Sequence, residues 1–341
     1  MLHFDTDYME GAHPEVMKRL LETNLEQTVG YGLDHYCEEA KQLIKDACGL
    51  KSGKVFFLVG GTQTNSTVID GILRRHEGVL CAATGHISVH ESGAIEASGH
   101  KVLTLPECQG KVTADDVDKY ITDFYRDETY EHQVAPGLLY ISFPTEYGTI
   151  YSRSELEALS AVCHKHGIPL FIDGARLGYG LASDAADLTL QDIAQIADVF
   201  YIGGTKVGAL CGEAVVTRRD DLLCHFFPLI KQHGALLAKG RLLGVQFGAL
   251  FTDGLYLKIA RHAVELAMKL RRAFEAKGYR VFIDSPTNQQ FVVLPNETLD
   301  RLSKIATFEV WGIRGVKETS VRFVTSWATK EEDLNKLIAE L

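Results

Sequence analysis

The feature that most constrains the fold is an alternation of continuous apolar runs with helical patterns. Each run is short enough for a single strand, and the runs are residues 54–59, 138–143, 168–172 and 198–202. Because apolar residues fill nearly all positions of such a run, both faces of the strand are expected to be buried, as in parallel sheets covered by helices. The pattern therefore predicts an α/β fold around a mostly parallel central sheet.

One crossover between two of these strands can be followed residue by residue. Ser152 and Glu155 form a capping-box pattern that predicts the start of a helix. Apolar residues then recur every three or four positions, and Gly167 is suited to end the helix. With the strands at 138–143 and 168–172, this helix makes a βαβ unit, which is right-handed in nearly all known sheets.

The pattern changes after about residue 250. A long amphipathic helix is expected over 255–277, followed by short strands and a closing helix. The expected strands are 281–283, 291–294 and 320–325. We therefore predict a large domain over 1–250, including an N-terminal segment of about 1–30, and a smaller α+β domain over 251–341.

Composition excludes several classes of function. The 341 residues carry 35 Lys and Arg against 45 Asp and Glu, a formal charge of −10, which disfavours binding to nucleic acid or anionic membranes. No apolar run reaches the roughly 20 residues needed to cross a bilayer, and the start lacks a signal-peptide pattern. The seven cysteines are scattered without metal-binding spacing, so we predict a cytoplasmic protein with reduced thiols and no metal site.

Candidate binding residues follow the predicted strands, where ligands sit in open α/β sheets. Gly60–Asn65 combines glycines, hydroxyls and a helix start, which suits a phosphate, although a tight turn would look the same. Asp173 ends another apolar run, and a buried carboxylate there needs a cation. That cation could be a protonated ring nitrogen or simply Arg176, and a helix cap is a further alternative.

Lys206 lies among glycines directly after the run 198–202. A lysine is most often a solvated surface residue, but one in a dry cleft has a lowered pKa and can form a Schiff base. The nucleotide P-loop spacing is absent. A phosphate cup, an aspartate and a lysine in this order meet the needs of pyridoxal 5′-phosphate.

Longer motifs carry a family resemblance over essentially the whole chain. They are YGLD at 31–34, GGTQTN at 60–65, GHISVHESGA at 85–94, IDGARL at 172–177, GGTKVGALCGE at 203–213 and SVRFVTSWA at 320–328. With them the chain resembles the threonine aldolase family, in the β-eliminating lyase group of fold-type-I pyridoxal-phosphate enzymes. The resemblance implies the fold-type-I transferase-like architecture, a homodimer or homotetramer, and an amino-acid substrate.

The resemblance also implies roles for individual residues. Those implied for cofactor binding are Gly61, Thr62, His86, Asp173, Arg176 and Lys206, with Lys206 as the covalent attachment point. Lys239 is implied as a basic residue that reaches a neighbouring subunit's phosphate, ahead of Arg241. Thr6, Tyr31 and Arg322 are implied for substrate binding, with Arg322 on the carboxylate.

Two positions depart from the family pattern. Glu146 stands where many bacterial members have a histidine that handles the substrate hydroxyl, and Thr6 replaces a serine. A carboxylate can still accept a proton, so His86 and Glu146 are the candidate catalytic bases, with Lys206 as the third catalytic residue.

The predicted reaction is cleavage of the Cα–Cβ bond of a β-hydroxy-α-amino acid, threonine or allo-threonine, to glycine and acetaldehyde. The same apparatus could perform β-elimination or transamination, because the cofactor permits all three. A catalytically inactive pyridoxal-phosphate-binding relative is the alternative outside the enzymes.

Overall fold

A computed structural model describes the chain from Met1 to Leu341. It contains strands in three sheets, bounded as follows: β1 Leu2–His3, β2 Lys54–Leu58, β3 Glu77–Ala82, β4 Val102–Leu105, β5 Ala135–Ser142, β6 Leu170–Asp173, β7 Val199–Gly203, β8 Glu213–Thr217, β9 Arg280–Ile283, β10 Gln289–Pro295, β11 Ala306–Thr307, β12 Glu309–Val310 and β13 Glu318–Val324.

Helices connect and cover these strands. Their bounds are α1 Pro14–Thr23, α2 His35–Ala47, α3 Gly61–Ile72, α4 His86–Val89, α5 Ala94–Ala97, α6 Ala114–Arg126, α7 Arg153–His166, α8 Leu177–Leu181, α9 Leu190–Ile196, α10 Phe226–Gln232, α11 Arg241–Phe251, α12 Leu255–Ala276, α13 Asn296–Leu302 and α14 Glu331–Ala339. Two 3₁₀ turns lie at Tyr130–His132 and Thr252–Gly254.

The central sheet has seven strands in the order β2-β8-β7-β6-β5-β3-β4. Only β8 is reversed, since it pairs antiparallel with both β2 and β7, whereas the remaining pairs are parallel. The prediction of a mostly parallel sheet covered by helices is confirmed. Because six strands run the same way, their carboxyl ends meet at one edge of the sheet.

The predicted βαβ unit is present as β5, α7 and β6, with both strands parallel. Ser152 and Glu155 form the capping box, in which each side chain bonds to the other's backbone N–H. Gly167 ends the helix with a φ of 68°, a left-handed conformation that glycine adopts without strain.

The strand at 54–58 is in the predicted place and packs on both faces, because Val55 lies in the core on one side of the sheet and Leu58 in the core on the other. β2 lies at the edge of the sheet and pairs only with β8. Phe56 and Phe57 are only partly buried, the first packing on Phe226 of α10 and the second on Phe247 of α11. An apolar run here reflects aromatic packing from two helices, with one lateral side left unpaired.

The C-terminal part forms a second, antiparallel sheet in the order β12-β13-β10-β9. The long helix α12 serves both sheets: Ile259 packs in the core beneath the central sheet, and Leu270 packs in the core of the antiparallel one. The first residues of the chain join this second core, because β1 pairs with β11 and Phe4 is buried there. The division into domains at residue 250 stays a prediction.

None of the helices combines the length and the apolar character that a membrane span requires.

Candidate active site

A cleft opens at the carboxyl edge of the central sheet and contains two adjoining cavities. The inner cavity, of about 260 Å³, is lined by Gly61, Thr62 and Asp173 among others. The outer cavity, of about 280 Å³, extends toward Arg322 on the second sheet. The two cavities share the side chains of Tyr8, His86, Glu146, Arg176 and Lys206.

Asp173 ends β6 and is buried, with four neutral donors around its carboxylate. Tyr140 and Tyr201, from the flanking strands β5 and β7, donate their hydroxyls over 2.6 and 2.5 Å, and Asn65 Nδ2 donates over 2.9 Å. The fourth donor is the Ala175 backbone N–H, at 2.9 Å. Burial raises the pKa of Asp173, but the charge of His86 and these hydrogen bonds outweigh it, so the pKa is lowered. The carboxylate is therefore a buried anion.

Arg176 pairs with Asp7 and not with Asp173, so the alternative of an Asp173–Arg176 ion pair is wrong. Its Nε and NH2 groups donate to the two oxygens of Asp7 over 2.7 and 2.9 Å, and the Asp7 side chain is fully buried. Burial raises the pKa of Asp7, but the charges of Arg176 and Lys206 outweigh it, so the net shift is downward. This bidentate pair fixes the guanidinium at the wall of the cleft.

Lys206 follows β7 and reaches into both cavities. Burial, and next the positive charge of Arg176, lower the pKa of its amine to about 8. The backbone of Lys206 is held by the Tyr179 hydroxyl, which donates to its carbonyl over 2.6 Å. A lysine with this pKa is partly uncharged near neutral pH and can act as a nucleophile.

Glu213, the first residue of β8, is buried beside the loop that carries Lys206. Its carboxylate accepts from Thr205 Oγ1 at 2.8 Å and from the Gly204 N–H at 3.2 Å. Burial raises the pKa of Glu213 to about 8, although the hydrogen bond from Thr205 and the charge of Lys206 oppose the rise. The two groups are therefore electrostatically linked.

The predicted phosphate cup lies at the N-terminus of α3. Gly60, which precedes the helix, provides no side-chain cap, so the first backbone N–H groups of the helix are free to bind an anion. Gly61 and Thr62 line the inner cavity at this point.

Glu146 lies in the cleft, as predicted, and contacts the segment that carries His86. Its Oε1 accepts from the His86 backbone N–H at 2.8 Å and from Ser142 Oγ at 2.6 Å. Burial raises the pKa of Glu146, although the hydrogen bond from Ser142 partly opposes this. A carboxylate with a raised pKa is a better proton acceptor than an exposed glutamate.

Arg322 lies on β13 and faces the outer cavity, while Val321 and Phe323 are buried on the other face of the strand. Its NH1 donates to Gln289 Oε1 over 2.7 Å, and its NH2 forms an ion pair with Glu309. Its Nε is buried without a partner. An unsatisfied donor on a guanidinium at a cavity wall suits a carboxylate ligand.

Three predicted site residues lie outside this cleft in the single chain. Thr6 Oγ1 is buried without a partner and lines neither cavity. Tyr31 and Lys239 lie together elsewhere: the Tyr31 N–H bonds to the Ala238 carbonyl at 3.0 Å. Tyr31 borders a separate, largely apolar groove of about 330 Å³.

The sequence profile of the family described as Beta-eliminating lyase matches residues 3–321. The chain belongs to this family. Low specificity L-threonine aldolase of Pseudomonas aeruginosa is 29% identical over 352 aligned residues, covering 99% of this chain and 96% of that protein. The structure of Leishmania major threonine aldolase is 41% identical, with a TM-score of 0.96 and coverage of 99% and 98% of the two chains.

A more distant structure confirms the fold alone. A chain described as SPT with a PLP internal aldimine is 15% identical, with a TM-score of 0.72 and coverage of 99% of this chain and 85% of that one. The fold-type-I architecture and the family predicted from the motifs are both confirmed.

Several residues that line the cleft or are buried behind it have no role predicted from the sequence, namely Tyr8, Asn65, Glu91, Tyr140, Tyr201 and Glu213. Asn65, Glu91 and Glu213 each lie inside one of the family motifs, so the motifs mark their positions but do not indicate their contacts. Tyr140 and Tyr201 interrupt two apolar runs with a polar hydroxyl, and each is buried with that hydroxyl on Asp173. A tyrosine in a fully buried strand needs a hydrogen-bond partner for its hydroxyl, so a tyrosine within an apolar run indicates a buried polar neighbour.

Proposed function

We propose that the protein is a pyridoxal-phosphate-dependent aldolase that cleaves the Cα–Cβ bond of β-hydroxy-α-amino acids. The favoured substrates are threonine and allo-threonine, which give glycine and acetaldehyde. The observation that carries this proposal is the single cleft that brings a nucleophilic lysine, a carboxylate base and a free arginine donor together. The relatives named as threonine aldolases support the same reaction.

The residues of the inner cavity fit the cofactor. Asp173 is a buried anion whose four hydrogen-bond donors are all neutral, so a protonated ring nitrogen would supply the missing countercharge. The free N–H groups at Gly61 and Thr62 suit the phosphate, and Lys206 is the attachment point. His86 and Arg176 border the space for the ring. When bound, pyridoxal phosphate supplies an electron sink for the breaking bond.

The outer cavity provides the groups that handle the substrate. Arg322, which lines the outer cavity, binds the substrate carboxylate with its guanidinium and so orients the amino acid. Glu146 accepts the proton of the β-hydroxyl while the Cα–Cβ bond breaks and Cβ leaves with its oxygen as acetaldehyde. One proton returns to Cα to give glycine, and His86 is the second group able to move it.

Product analysis tests the reaction class. We expect purified enzyme incubated with threonine to release acetaldehyde and glycine in equal amounts. Ammonia with a keto acid would instead indicate β-elimination, and exchange of the amino group would indicate transamination. Absence of all three products across a panel of amino acids would support an inactive relative and contradict the proposal.

Glu146→Gln tests the base. The variant keeps the shape of the side chain but cannot accept a proton, so we expect cleavage of threonine to fall by about 10²-fold or more. Wild-type activity should decline on acidification at a higher pH than for an ordinary glutamate, because burial raises the pKa of Glu146. The measurements are acetaldehyde release and its pH profile.

Glycine is the internal control for Glu146→Gln, because it has no β-hydroxyl. Its binding, followed by the change in cofactor absorbance, should be unchanged. Glu155→Gln, in the capping box of α7 and outside the cleft, should leave both substrates unaffected. Equal losses with glycine and threonine would contradict the assignment and give Glu146 a general supporting role.

We further propose that the active enzyme is at least a dimer. Tyr31 and Lys239 lie beside the apolar groove, which also includes Phe227 and Leu237. Leu25 and Leu33, nearby in sequence, are 92% and 61% exposed. An apolar surface bordered by basic residues is suited to an interface between subunits. Lys239 would then reach the neighbour's phosphate, and sedimentation of a fully active monomer would contradict this.

A further inference from the structure

His86 is held by a buried carboxylate, that of Glu91. The Glu91 side chain is completely shielded from solvent, and its Oε1 lies 2.7 Å from His86 Nδ1. Because an ionised carboxylate only accepts hydrogen bonds, this contact requires the ring hydrogen of His86 to be on Nδ1. In the neutral ring, the other nitrogen, Nε2, then carries no hydrogen.

Asn65 links Glu91 to the aspartate of the inner cavity. Its Nδ2 donates to Glu91 Oε1 over 2.7 Å and to Asp173 Oδ2 over 2.9 Å. One amide group thus fixes the spacing between two buried carboxylates. Asn65 Oδ1 and Glu91 Oε2 are buried without partners, which costs free energy. A network kept at such a cost is typical of a functional site more than of a structural core.

The backbone of His86 is fixed as well. Its N–H, the first of the short helix α4, donates to Glu146 Oε1 over 2.8 Å. With both the backbone and Nδ1 held, the ring has little freedom to turn. The His86 side chain is 34% exposed and lines both cavities, so the remaining ring nitrogen is the atom available to the cleft.

We propose that Glu91 is a positioning residue that keeps His86 in the tautomer with hydrogen on Nδ1. His86 then presents Nε2 to the cleft as a hydrogen-bond and proton acceptor. The arrangement has the logic of a carboxylate that orients a histidine base. The tautomer assignment is independent of the proposed function. The role of Nε2, which is to accept a proton or a hydrogen bond from the amino-acid substrate, rests on the proposed function.

The test is ¹⁵N NMR of the histidine rings in cofactor-free protein, with His86 assigned by comparison with His86→Gln. Wild-type protein should show the Nδ1–H tautomer for His86. Glu91→Met has a similar volume but no carboxylate, so the ring should shift to the Nε2–H form usual for free histidine. Glu91→Ala provides a second variant in case methionine disturbs folding.

The matched control is Asp70→Ala, which breaks a comparable contact of 2.8 Å with His233 outside the cleft. It should leave the His86 resonances unchanged. An Nε2–H ring in the wild type, or an unchanged ring in both Glu91 variants, would overturn the proposal.

Kinetics form a separate readout of the loaded enzyme. With Glu91→Met, kcat for threonine should fall by about 10-fold to 10²-fold while KM changes little, since orientation of a base is lost and carboxylate binding is not. An unchanged kcat would refute a positioning role. If wild-type enzyme instead failed to cleave threonine while the NMR result held, the proposed function would fail and the tautomer assignment would stand.

Discussion

Replacing Lys206 by alanine is expected to abolish the enzyme's activity. The variant loses the only lysine that lines the cleft, and we expect turnover of threonine to fall by about 10³-fold or more. The absorbance of lysine-bound cofactor should disappear, and borohydride should no longer fix cofactor to the chain. In the wild type, binding of pyridoxal phosphate should accelerate as the pH rises through about 8, because the amine must be uncharged to react.

Lys336→Ala is the control for this experiment. Lys336 is exposed on α14 and pairs only within its helix, with Asp333 at 2.7 Å. Its loss should change neither absorbance nor turnover. A borohydride-fixed adduct that persists on another lysine in Lys206→Ala would refute the assignment of Lys206.

Replacing Asp173 by asparagine should give the second largest loss. Asparagine fills the same space but carries no charge, so a protonated ring nitrogen would lose its counterion. We expect turnover to fall by about 10²-fold to 10³-fold, the range found when one electrostatic stabiliser is removed. Retention of the cofactor after dialysis, read from its absorbance, should weaken as well.

Asp198→Asn separates this loss from a general loss of stability. Asp198 is also fully buried and lies at the opposite end of the same sheet, where it accepts the Leu170 N–H at 2.9 Å. We expect this variant to lower the unfolding temperature while keeping cofactor absorbance and turnover. If Asp173→Asn and Asp198→Asn behaved alike, Asp173 would be a structural residue.

The sequence predicted which residues enter the cleft more readily than which residues they contact there. Asp173 and Lys206 could be located because each directly follows a recognisable apolar run, and the ends of parallel strands share an edge. Their partners depend on lateral strand order, which periodicity along the chain does not contain. Tyr140 and Tyr201 meet Asp173 only because β5 and β7 flank β6.

Glu91 illustrates a second limit. Helical spacing would place His90, four residues on, on the same side as His86, and the two rings are indeed 5.4 Å apart. However, α4 ends at Val89, and the turn that follows directs Glu91 back to His86. A five-residue spacing has no meaning on a regular helix, so the pair could not be predicted.

The edge strand β2 shows the same limit for the fold. The apolar composition of β2 is typical of a strand in the middle of a sheet. β2 lies at the edge because β8 pairs with both β2 and β7 and so separates β2 from the parallel strands. Antiparallel insertion of a later strand is a long-range choice, and local patterns do not encode it.

The contacts of Asp7 have a consequence for how the protein is made. Its carboxylate meets Arg176, 169 positions later, and Asn288, 281 positions later. A chain still emerging from the ribosome holds the first of these partners long before the second. The hydrogen bonds around Asp7 can therefore be completed only after Asn288 has been made, and until then the Asp7 carboxylate has Arg176 as its partner without Asn288. Contacts of such long sequence separation form slowly, so we expect this wall of the cleft to be among the later parts of the protein to fold.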